Sequence, residues 1–572
     1  MEEFSILAAV AVAVIVAVAH FAPRLGVAAP VLLVLAGIGA SYVPGTPHLD
    51  MDPHLILTVV LPPLLYAAAI TVPAVEFRRN FSAISSLAVL LVIVSALVTG
   101  LLLHWLVPEI PLAIAIALGA VIAPPDAVAA TSVGKRLGLP PRLLVVLEGE
   151  GLVNDATALV LLRSAVAAGA GGVSLLDVTA DFLRAVVIGL LVGVVIGLVA
   201  VRVRAFLDDP VLITAVSLTV PFVAFVPAEE LHASGVLAVV VAGLVTGYQS
   251  SHHFEAQDRV TERINWRTVQ LLLENGVFLL MGYQIESLVS DVRGSDDLGV
   301  GGTVLLGLLL TVVLVALRMA FMIPLTAWLR AQQRRGVAMA PRLGALQEHL
   351  GTIAPEEASS GRRLRHVQRR VDRKLADLQQ LERNALGWRG GAVLGWSGMR
   401  GVVTLAAAQS LPADTPWRSQ LILVAFVVAL VTLVVQGTSL PWVIRVLGVR
   451  GTDEQAARVE LDGLLTEISQ VMTDALDNPD LVRSDGRRFS ERALAKGRTQ
   501  QELFTRYVST ATPEDQARLD EHRELRMLLL EAGAAALRDC RTSGEWNSGT
   551  LARAQSLLDA EVIHLENGVP GR

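Results

Sequence analysis

The sequence predicts an all-α integral membrane protein with a helical cytoplasmic tail. Of its 572 residues, 53% are hydrophobic and only 17% are charged, whereas soluble domains contain about 25% charged residues. The apolar residues before position 449 form blocks long enough to cross a hydrocarbon core of about 30 Å as helices. The chain after Gly451 is charged and has no such block. We therefore expect a transmembrane domain over residues 1–449 and a cytoplasmic helical region over 450–572, for which regulatory and dimerisation roles are both open.

About thirteen apolar blocks are predicted to be transmembrane helices. The first block has an acidic flank where a signal peptide would have a basic one, which indicates a retained span. The long eleventh block needs a tilt or an interfacial end to fit the bilayer. The blocks cover residues 4–22, 27–44, 53–73, 81–106, 111–132, 140–168, 183–203, 209–227, 233–249, 269–290, 299–329, 388–411 and 417–446.

The distribution of basic residues between these blocks predicts the orientation of the chain in the cell membrane. The even-numbered loops contain only Arg293 and Arg418. Because basic loops stay in the cytoplasm, we expect the N-terminus outside and the C-terminal region inside. The odd-numbered loops contain Arg24, Arg78, Arg79, Lys135, Arg136, Arg142, Arg202, Arg204, Arg259, Arg263, Arg267 and a dense basic stretch from Arg330 to Lys374.

The two cytoplasmic regions carry no recognisable catalytic motif. Residues 331–387 contain a charged amphipathic helix, RRLRHVQRRVDRKLADLQQLERNAL, which we expect to lie near anionic lipid head groups. The tail has no phosphate-binding loop, metal-spaced His/Cys set or nucleophile elbow, so an enzyme is not predicted. The single cysteine, Cys540, excludes an intramolecular disulfide. No cofactor and no nucleic-acid partner are expected.

Two prolines and an acid interrupt the fifth block, at Pro124, Pro125 and Asp126. Proline has no N–H and clashes with the preceding turn, so the pair leaves carbonyl oxygens unpaired at membrane depth. Such backbone is tolerated where it lines a cavity or is buried in protein. Carbonyl oxygens beside a carboxylate are the ligands that a dehydrated cation needs.

The sixth block contains an unusual number of acids for a membrane span. Asp155 falls near the midplane if hydrocarbon begins near Leu143, and Asn154 precedes it. Glu150 and Asn154 share a face because they are four residues apart. Charges at this depth cost at least about 2.5–3.5 kcal/mol and usually mark function. We expect Glu148, nearer the cytoplasm, to be a funnel charge.

The twelfth block has a second break and a buried cation. Its centre, GWSGMRG, is rich in glycine, and Arg400 lies about halfway across. A lone buried arginine needs a carboxylate partner. Glu274 in the tenth block and Arg318 in the eleventh are predicted to form a second charge pair.

The positions of the two breaks predict an internal symmetry. If the seventh block is a connector, the chain divides into two halves of six helices, and each break is in the fifth helix of its half. The halves then enter the membrane from opposite sides. Inverted six-helix repeats with matching broken helices are typical of secondary transporters with an ion site at the midplane.

At APPDAVA, GEGLVNDATALV and GMRGVVTLA the chain resembles the monovalent cation:proton antiporters, in particular the bacterial sodium/proton exchangers. The resemblance covers about residues 5–447. It implies that Asp155 binds cation and proton alternately, next to Asn154 and to the acid of the unwound helix, Asp126. It also implies that Glu150 pairs with Arg400.

Two positions depart from the family's pattern. Pro125 stands where the family usually has Thr, and Gly151 stands where a Ser is common. Both hydroxyls are candidate cation ligands, so Na⁺, K⁺ and Li⁺ remain open as substrates. The Asn-Asp pair resembles the electroneutral branch, which exchanges one cation for one proton.

The predicted function is therefore antiport of a monovalent cation, Na⁺ first, against H⁺, with cation and proton competing at Asp155. A homodimer in contact with membrane lipid is expected. An anion carrier would present cations and helix N-termini to the site, where this chain has an excess of carboxylates. A channel would need a continuous polar pathway, and a sensor would need an active tail.

Overall fold

The computed structural model is helical throughout the residues that it describes. These residues are 2–25, 28–44, 53–169, 175–254, 256–294, 298–352, 387–449, 451, 454–478, 481–483, 486–509 and 524–537, with isolated positions at 367, 368, 371, 374, 375, 378, 521, 554, 555, 557, 558 and 561. Within them, β pairing is limited to one isolated bridge between Val482 and Arg488. The chain forms two compact units, Met1–Thr452 and Asp453–Arg572.

The first half of the membrane unit contains nine helices in the part that the structure describes. Two of the helices contain a π-helical stretch, Ile56–Val60 and Ser86–Leu91, of the kind that often occurs near functional sites. The helices are α1 Glu2–Leu25, α2 Ala29–Ser41, α3 over 53–71, α4 Ala74–Arg79, α5 Phe81–Leu106, α6 Leu112–Ile122, α7 Ala127–Arg136, α8 Pro141–Gly169 and α9 Leu175–Arg204.

The second half continues with helices of very different length. They are α10 Pro210–Glu230, α11 Gly235–His253, α12 Ala256–Tyr283, α13 Ile285–Arg293, α14 Val300–Thr352, α15 Trp388–Trp396, α16 Val402–Gln409 and α17 Arg418–Leu447. Each of the thirteen predicted blocks overlaps at least one helix, and the fifth and twelfth are each divided into two.

Within the part of the chain that the structure describes, five helices are long and apolar enough to cross a membrane by their own length and composition. They are Phe81–Leu106, Thr179–Arg204, Pro210–Glu230, Val300–His349 and Arg418–Leu447. The acids of α8 and α12 lower the hydropathy of those helices, and the two breaks shorten α6, α7, α15 and α16. Composition alone therefore does not detect the helices that carry the polar residues.

The helix α14 differs from its predicted extent. The apolar block was expected to end at residue 329, but the helix continues to Thr352 and contains Pro324 and Pro341. Hydropathy shows only where the apolar residues end. The residues that follow include Ala, Leu, Gln and Arg, which have high helix propensity, so the helix continues beyond that point. The predicted amphipathic helix after residue 361 lies largely outside the described residues.

The buried side chains of the membrane unit form two main clusters. One includes α2, α5, α6, α14 and α17, and the other includes α3, α10 and α11. The helix α8 belongs to both, through Leu147 in the first cluster and Leu152 and Ala156 in the second. Asp155 is thus carried by the helix that lies between the two clusters.

Close packing of α9 against α11 depends on glycine. A Cβ at Gly193 would lie 2.7 Å from Cβ of Val241, and one at Gly197 would lie 2.9 Å from Cβ of Val245. Contacts this short are not tolerated, so the small residues allow the two backbones to approach, as in other membrane helix pairs.

The second unit is helical where the structure describes it. Its helices are Glu454–Leu476 and Glu491–Ser509, followed by a helical stretch over 524–537. Gln501 Nε2 donates to the backbone oxygen of Ser469 at 3.0 Å and connects the first two helices. Arg498 and Asp477 form an exposed ion pair of 3.1 Å between them.

Candidate functional site

The two broken helices touch each other at their breaks. The backbone N–H of Asp126, between α6 and α7, donates to the carbonyl oxygen of Met399, between α15 and α16, at 2.6 Å. Gly401 lies directly against the Asp126 carboxylate, and a Cβ at this glycine would collide with Oδ2. Glycine at position 401 is therefore what permits the close approach of the two chain segments.

Arg400 supplies hydrogen bonds to carbonyl oxygens at the end of α6, where the helix breaks. Its Nε donates to Ile122 O at 3.1 Å and its Nη2 to Ala123 O at 3.4 Å, while Nη1 donates to Gly398 O. Its backbone N–H donates to Thr432 Oγ1 at 3.0 Å. Arg400 is fully buried, and its charge stabilises the carbonyl ends of the broken helix.

The predicted ion pairs are wrong in their partners. Glu150 pairs with Arg318, through Nη1 to Oε1 at 2.5 Å and Nη2 to Oε2 at 2.8 Å, and does not pair with Arg400. Arg318 also donates to Leu394 O, and a Cβ at Gly398 would lie 2.6 Å from its Cδ. This glycine makes room for the guanidinium beside Glu150. Glu274 consequently has no arginine partner among the described residues.

Asn154 connects α8 to the break of the fifth block. Its Nδ2 donates to the carbonyl oxygen of Pro125 at 2.7 Å, and its Oδ1 is buried without a hydrogen-bond partner. The carbonyl of Pro125, predicted as a cation ligand, is thus engaged by Asn154. Arg400 engages the oxygens of Ile122 and Ala123, so the protein itself supplies a hydrogen bond to three of the oxygens at this break.

The carboxylate of Asp126 caps the helix that follows it. Oδ1 accepts a hydrogen bond of 2.8 Å from the backbone N–H of Val128, which fixes the side chain at the start of α7. Oδ2 lies on the side of Gly401. One oxygen of Asp126 is therefore structural, and the other is available on the cavity side.

A cavity of about 180 Å³ brings the acidic residues together. Asp126, Asp155 and Glu274 line it, and α3 contributes an apolar wall that includes Leu61 and Leu65. Lys135 and Glu148 also line the cavity and form an ion pair of 2.7 Å. Lys135 is the more exposed of the two, which places this pair at the mouth and Asp155 deeper inside.

The cavity is asymmetric about Asp155. On the side away from Lys135, Asp155 borders a space of about 10 Å³, lined by apolar residues that include Leu159, Leu162 and Ala407. That volume holds about one water molecule. Asp155 is therefore accessible from the Lys135 side, and apolar side chains close the opposite side.

Most of the predicted residues meet at this place, and a few were missed. Asp155, Asp126, Asn154, Pro125 and Glu150 lie on the two elements, α8 and the fifth-block break, that the sequence predicted to form the site. Glu274, Gln270, Thr131, Thr404 and Lys135 also line the cavity, although the sequence did not single them out as lining residues. Only the polarity of Gln270 and Glu274 within a membrane block could have indicated that these two residues line the cavity.

A helical membrane protein in which two broken helices cross beside a buried acidic cavity has the architecture of a secondary ion transporter. The family described as "Sodium/hydrogen exchanger, transmembrane" matches residues 10–446, and the chain belongs to this family. It is a multi-pass membrane antiporter that exchanges a monovalent cation for protons.

Similar proteins extend over nearly the whole chain. An uncharacterized Na⁺/H⁺ exchanger of Mycobacterium tuberculosis is 30% identical over 558 residues, which is 95% of this chain and 92% of that protein. The Na⁺/H⁺ antiporter ApNhaP of Aphanothece halophytica is 26% identical over 92% of this chain and 90% of its own. A sodium, potassium, lithium and rubidium/H⁺ antiporter of Bacillus subtilis is 31% identical over 52% of this chain and 46% of its own.

A solved structure shares the fold. The sodium proton antiporter MjNhaP1 from Methanocaldococcus jannaschii superposes with a TM-score of 0.55 at 15% sequence identity, covering 78% of this chain and 100% of that one. At this identity the likeness concerns the fold alone.

Proposed function

We propose that this antiporter exchanges Na⁺ for H⁺ one for one across the cell membrane, with both ions competing for Asp155. The observation that carries the proposal is the position of Asp155 in the acidic cavity. The buried arginines Arg318 and Arg400 are engaged elsewhere, Arg318 by Glu150 and Arg400 by backbone oxygens. Asp155 therefore has no cationic partner among the described residues and can accept a proton or a metal ion.

Competition follows from the cost of an uncompensated charge inside the membrane. A bare carboxylate there is costly, so the moving state of the protein must carry Asp155 with either a proton or a cation. The same cost prevents the conformational change when Asp155 is ionised and has no bound cation. Obligatory exchange results, because return of the site in either direction requires one of the two ions.

Alternating access is supported by the asymmetry of the cavity. Asp155 is open toward the Lys135 side and closed by Leu159, Leu162 and Ala407 on the other. The helix α8 lies between two separately packed clusters, so a relative movement of these clusters can change the side from which Asp155 is reached. By the predicted orientation, the open side is cytoplasmic, the N-terminus is outside, and the tail is inside.

Asp126 and Asn154 have supporting roles in this proposal. Asp126 contributes the second carboxylate of the cation site through the oxygen that does not cap α7. Asn154 holds the break in place through Pro125 and cannot ionise, so Asp155 is the one exchanging acid of its pair. One exchanging carboxylate corresponds to electroneutral 1:1 antiport.

Na⁺ is the preferred substrate in this proposal, and K⁺ is the alternative. The relative from Aphanothece halophytica is named for Na⁺, while that from Bacillus subtilis is named for sodium, potassium, lithium and rubidium. The thirteen spans, the inverted repeats, the homodimer and the regulatory or dimerising tail belong to the same proposal. Exposed apolar side chains such as Leu191 and Val195 on α9 suit contact with lipid or a second copy.

Reconstitution of the full chain in proteoliposomes tests the central role of Asp155. With a pH dye inside, addition of Na⁺, K⁺ or Li⁺ should move protons in the wild type and in Asp208→Asn, a control at an exposed loop acid. Asp155→Asn should abolish exchange. Exchange that survives in Asp155→Asn would refute the role, and a steady-state rate that depends on a clamped potential would refute the 1:1 stoichiometry.

A further inference from the structure

Glu274 has no role in the proposal above, although it lines the same cavity. It lies on α12, which contacts α16 and packs beside α3. Its side chain is close enough to interact electrostatically with Asp126, and its one hydrogen-bond contact is a long one, 3.5 Å from Gln270 Nε2. Three carboxylates, those of Asp126, Asp155 and Glu274, therefore face one small space inside the membrane.

Thr404 is a second residue of this space that the mechanism does not yet use. It lies on α16 and is 2% exposed, and it lines the cavity. Its hydroxyl has no hydrogen-bond partner among the described residues, although helix-buried threonines normally bond to a carbonyl of the preceding turn. Thr131, in the same cavity, does so, because its hydroxyl donates to Val128 O at 3.1 Å.

Thr404 lines the same cavity as Asp126 and follows closely on the glycine that touches it. Gly401, the N-cap residue of α16, touches the Asp126 carboxylate, and Thr404 lies three residues later in the first turn of that helix. Residues three apart lie on one face of a helix. A threonine without a hydrogen-bond partner for its hydroxyl among the described residues thus lines the same cavity as Asp126 and Glu274.

We propose that the Thr404 hydroxyl and the Glu274 carboxylate are further ligands of the transported cation, beside Asp126 and Asp155. The inference rests on the proposed function and extends it. A small monovalent ion that leaves water needs several oxygen ligands, and three backbone oxygens of the fifth-block break already accept hydrogen bonds from Arg400 and Asn154. The side-chain oxygens of Asp126, Asp155, Glu274 and Thr404, which line the cavity, are available as further ligands.

The identity of these ligands also affects selectivity. A neutral hydroxyl replaces one water of the hydration shell, and the smallest ion loses most when that oxygen is missing because it holds its water most tightly. Removal of the Thr404 hydroxyl should therefore impair Li⁺ more than Na⁺, and Na⁺ more than K⁺.

The test is the apparent KM of each cation in proteoliposomes containing the full chain. Thr404→Val keeps the shape and removes the hydroxyl, Thr404→Ser restores it, and Glu274→Gln removes only the charge. Thr404→Val and Glu274→Gln should raise the apparent KM for Na⁺ about fivefold to tenfold, the change expected from one lost polar contact. Thr404→Ser and the matched control Thr311→Val, whose hydroxyl donates to Gly307 O outside the cavity lining, should stay near the wild type.

A second measurement does not depend on turnover. Binding of a cation raises the melting temperature of the solubilised protein by mass action. The Na⁺-dependent increase should shrink in Thr404→Val and Glu274→Gln at unchanged melting temperature without Na⁺. Wild-type KM values and a wild-type Na⁺ effect in both variants would overturn the inference and leave the role of Asp155 intact, whereas loss of the proposed function would appear as absent exchange in the wild type.

Discussion

Asn154 Nδ2 donates a hydrogen bond of 2.7 Å to the carbonyl oxygen of Pro125, across the contact between α8 and the break of the fifth block. Both groups are buried. The helix that carries Asp155 is thereby fastened to the segment that carries Asp126. The distance between the two carboxylates thus depends on an amide that cannot itself bind a proton.

Removal of this amide should loosen the site. Asn154→Leu leaves the Pro125 carbonyl unpaired in a buried position, which costs about 1–3 kcal/mol. We expect a lower melting temperature and a strongly reduced exchange rate. Asn275→Leu is the matched control, since the Asn275 amide donates to Leu271 O within its own helix. Equal effects of the two substitutions on exchange would contradict a special role of the Pro125 contact.

The Glu150–Arg318 ion pair should contribute strongly to the stability of the membrane unit. Both side chains are almost fully buried, and removal of one partner leaves a buried charge, at a cost of about 3–5 kcal/mol. Unfolding of Glu150→Gln, Arg318→Met and the double variant in detergent gives the coupling energy. The coupling energy between Glu150→Gln and Arg400→Met, measured in the same way, should be smaller than that between Glu150→Gln and Arg318→Met. A larger coupling to Arg400 would mean that the ion pairing seen here is not the dominant one.

The sequence predicted the parts of this site that depend on local chemistry. Pro124–Pro125 and GWSGMRG interrupt helices wherever those helices lie, so both breaks could be located from the residues alone. The pairing of buried charges could not, because two arginines and two glutamates allow more than one combination. The crossing of the breaks decides it: Arg400 lies beside Ile122 O and Ala123 O, and Gly398 opens the space that Arg318 occupies.

Glu274 shows more clearly why the pairing of buried charges could not be predicted from the sequence. From the sequence it could be paired with Arg318, since each is a lone charge in a neighbouring span. In the fold the pairing fails because α12 turns this acid toward the cavity, while Arg318 reaches Glu150 across the interior. Tertiary packing determines which face of α12 turns toward the cavity. Hydrophobic periodicity does not predict that face when nearly the whole block is apolar.

The Lys135–Glu148 ion pair at the mouth should affect capture of the cation more than stability. Lys135 is 63% exposed, so the pair contributes at most about 1 kcal/mol. A positive charge at the entrance repels cations, and Lys135→Gln should lower the apparent KM for Na⁺ about twofold to threefold at low ionic strength. The effect should fade with added choline chloride because salt screens exposed charges. Arg136→Gln, next along the helix but away from the cavity lining, is the control, and an equal change there would assign the effect to general surface charge.

The dependence of the cation KM on pH tests the number of protons that compete at the site. If one proton and one cation exclude each other at Asp155, acidification must raise the apparent KM for Na⁺ and leave the maximal rate unchanged, because enough cation always displaces the proton. Over the range in which the site is mainly protonated, the KM should rise about tenfold per pH unit. Competition by two protons would give about a hundredfold per unit, since the acids would then titrate together.

Proteoliposome assays at fixed membrane potential over a series of internal and external pH values measure this dependence of the Na⁺ KM on pH. A slope near zero would remove proton–cation competition from the mechanism, and the steeper slope would require that a second carboxylate of the cavity, Asp126 or Glu274, also release a proton in each cycle.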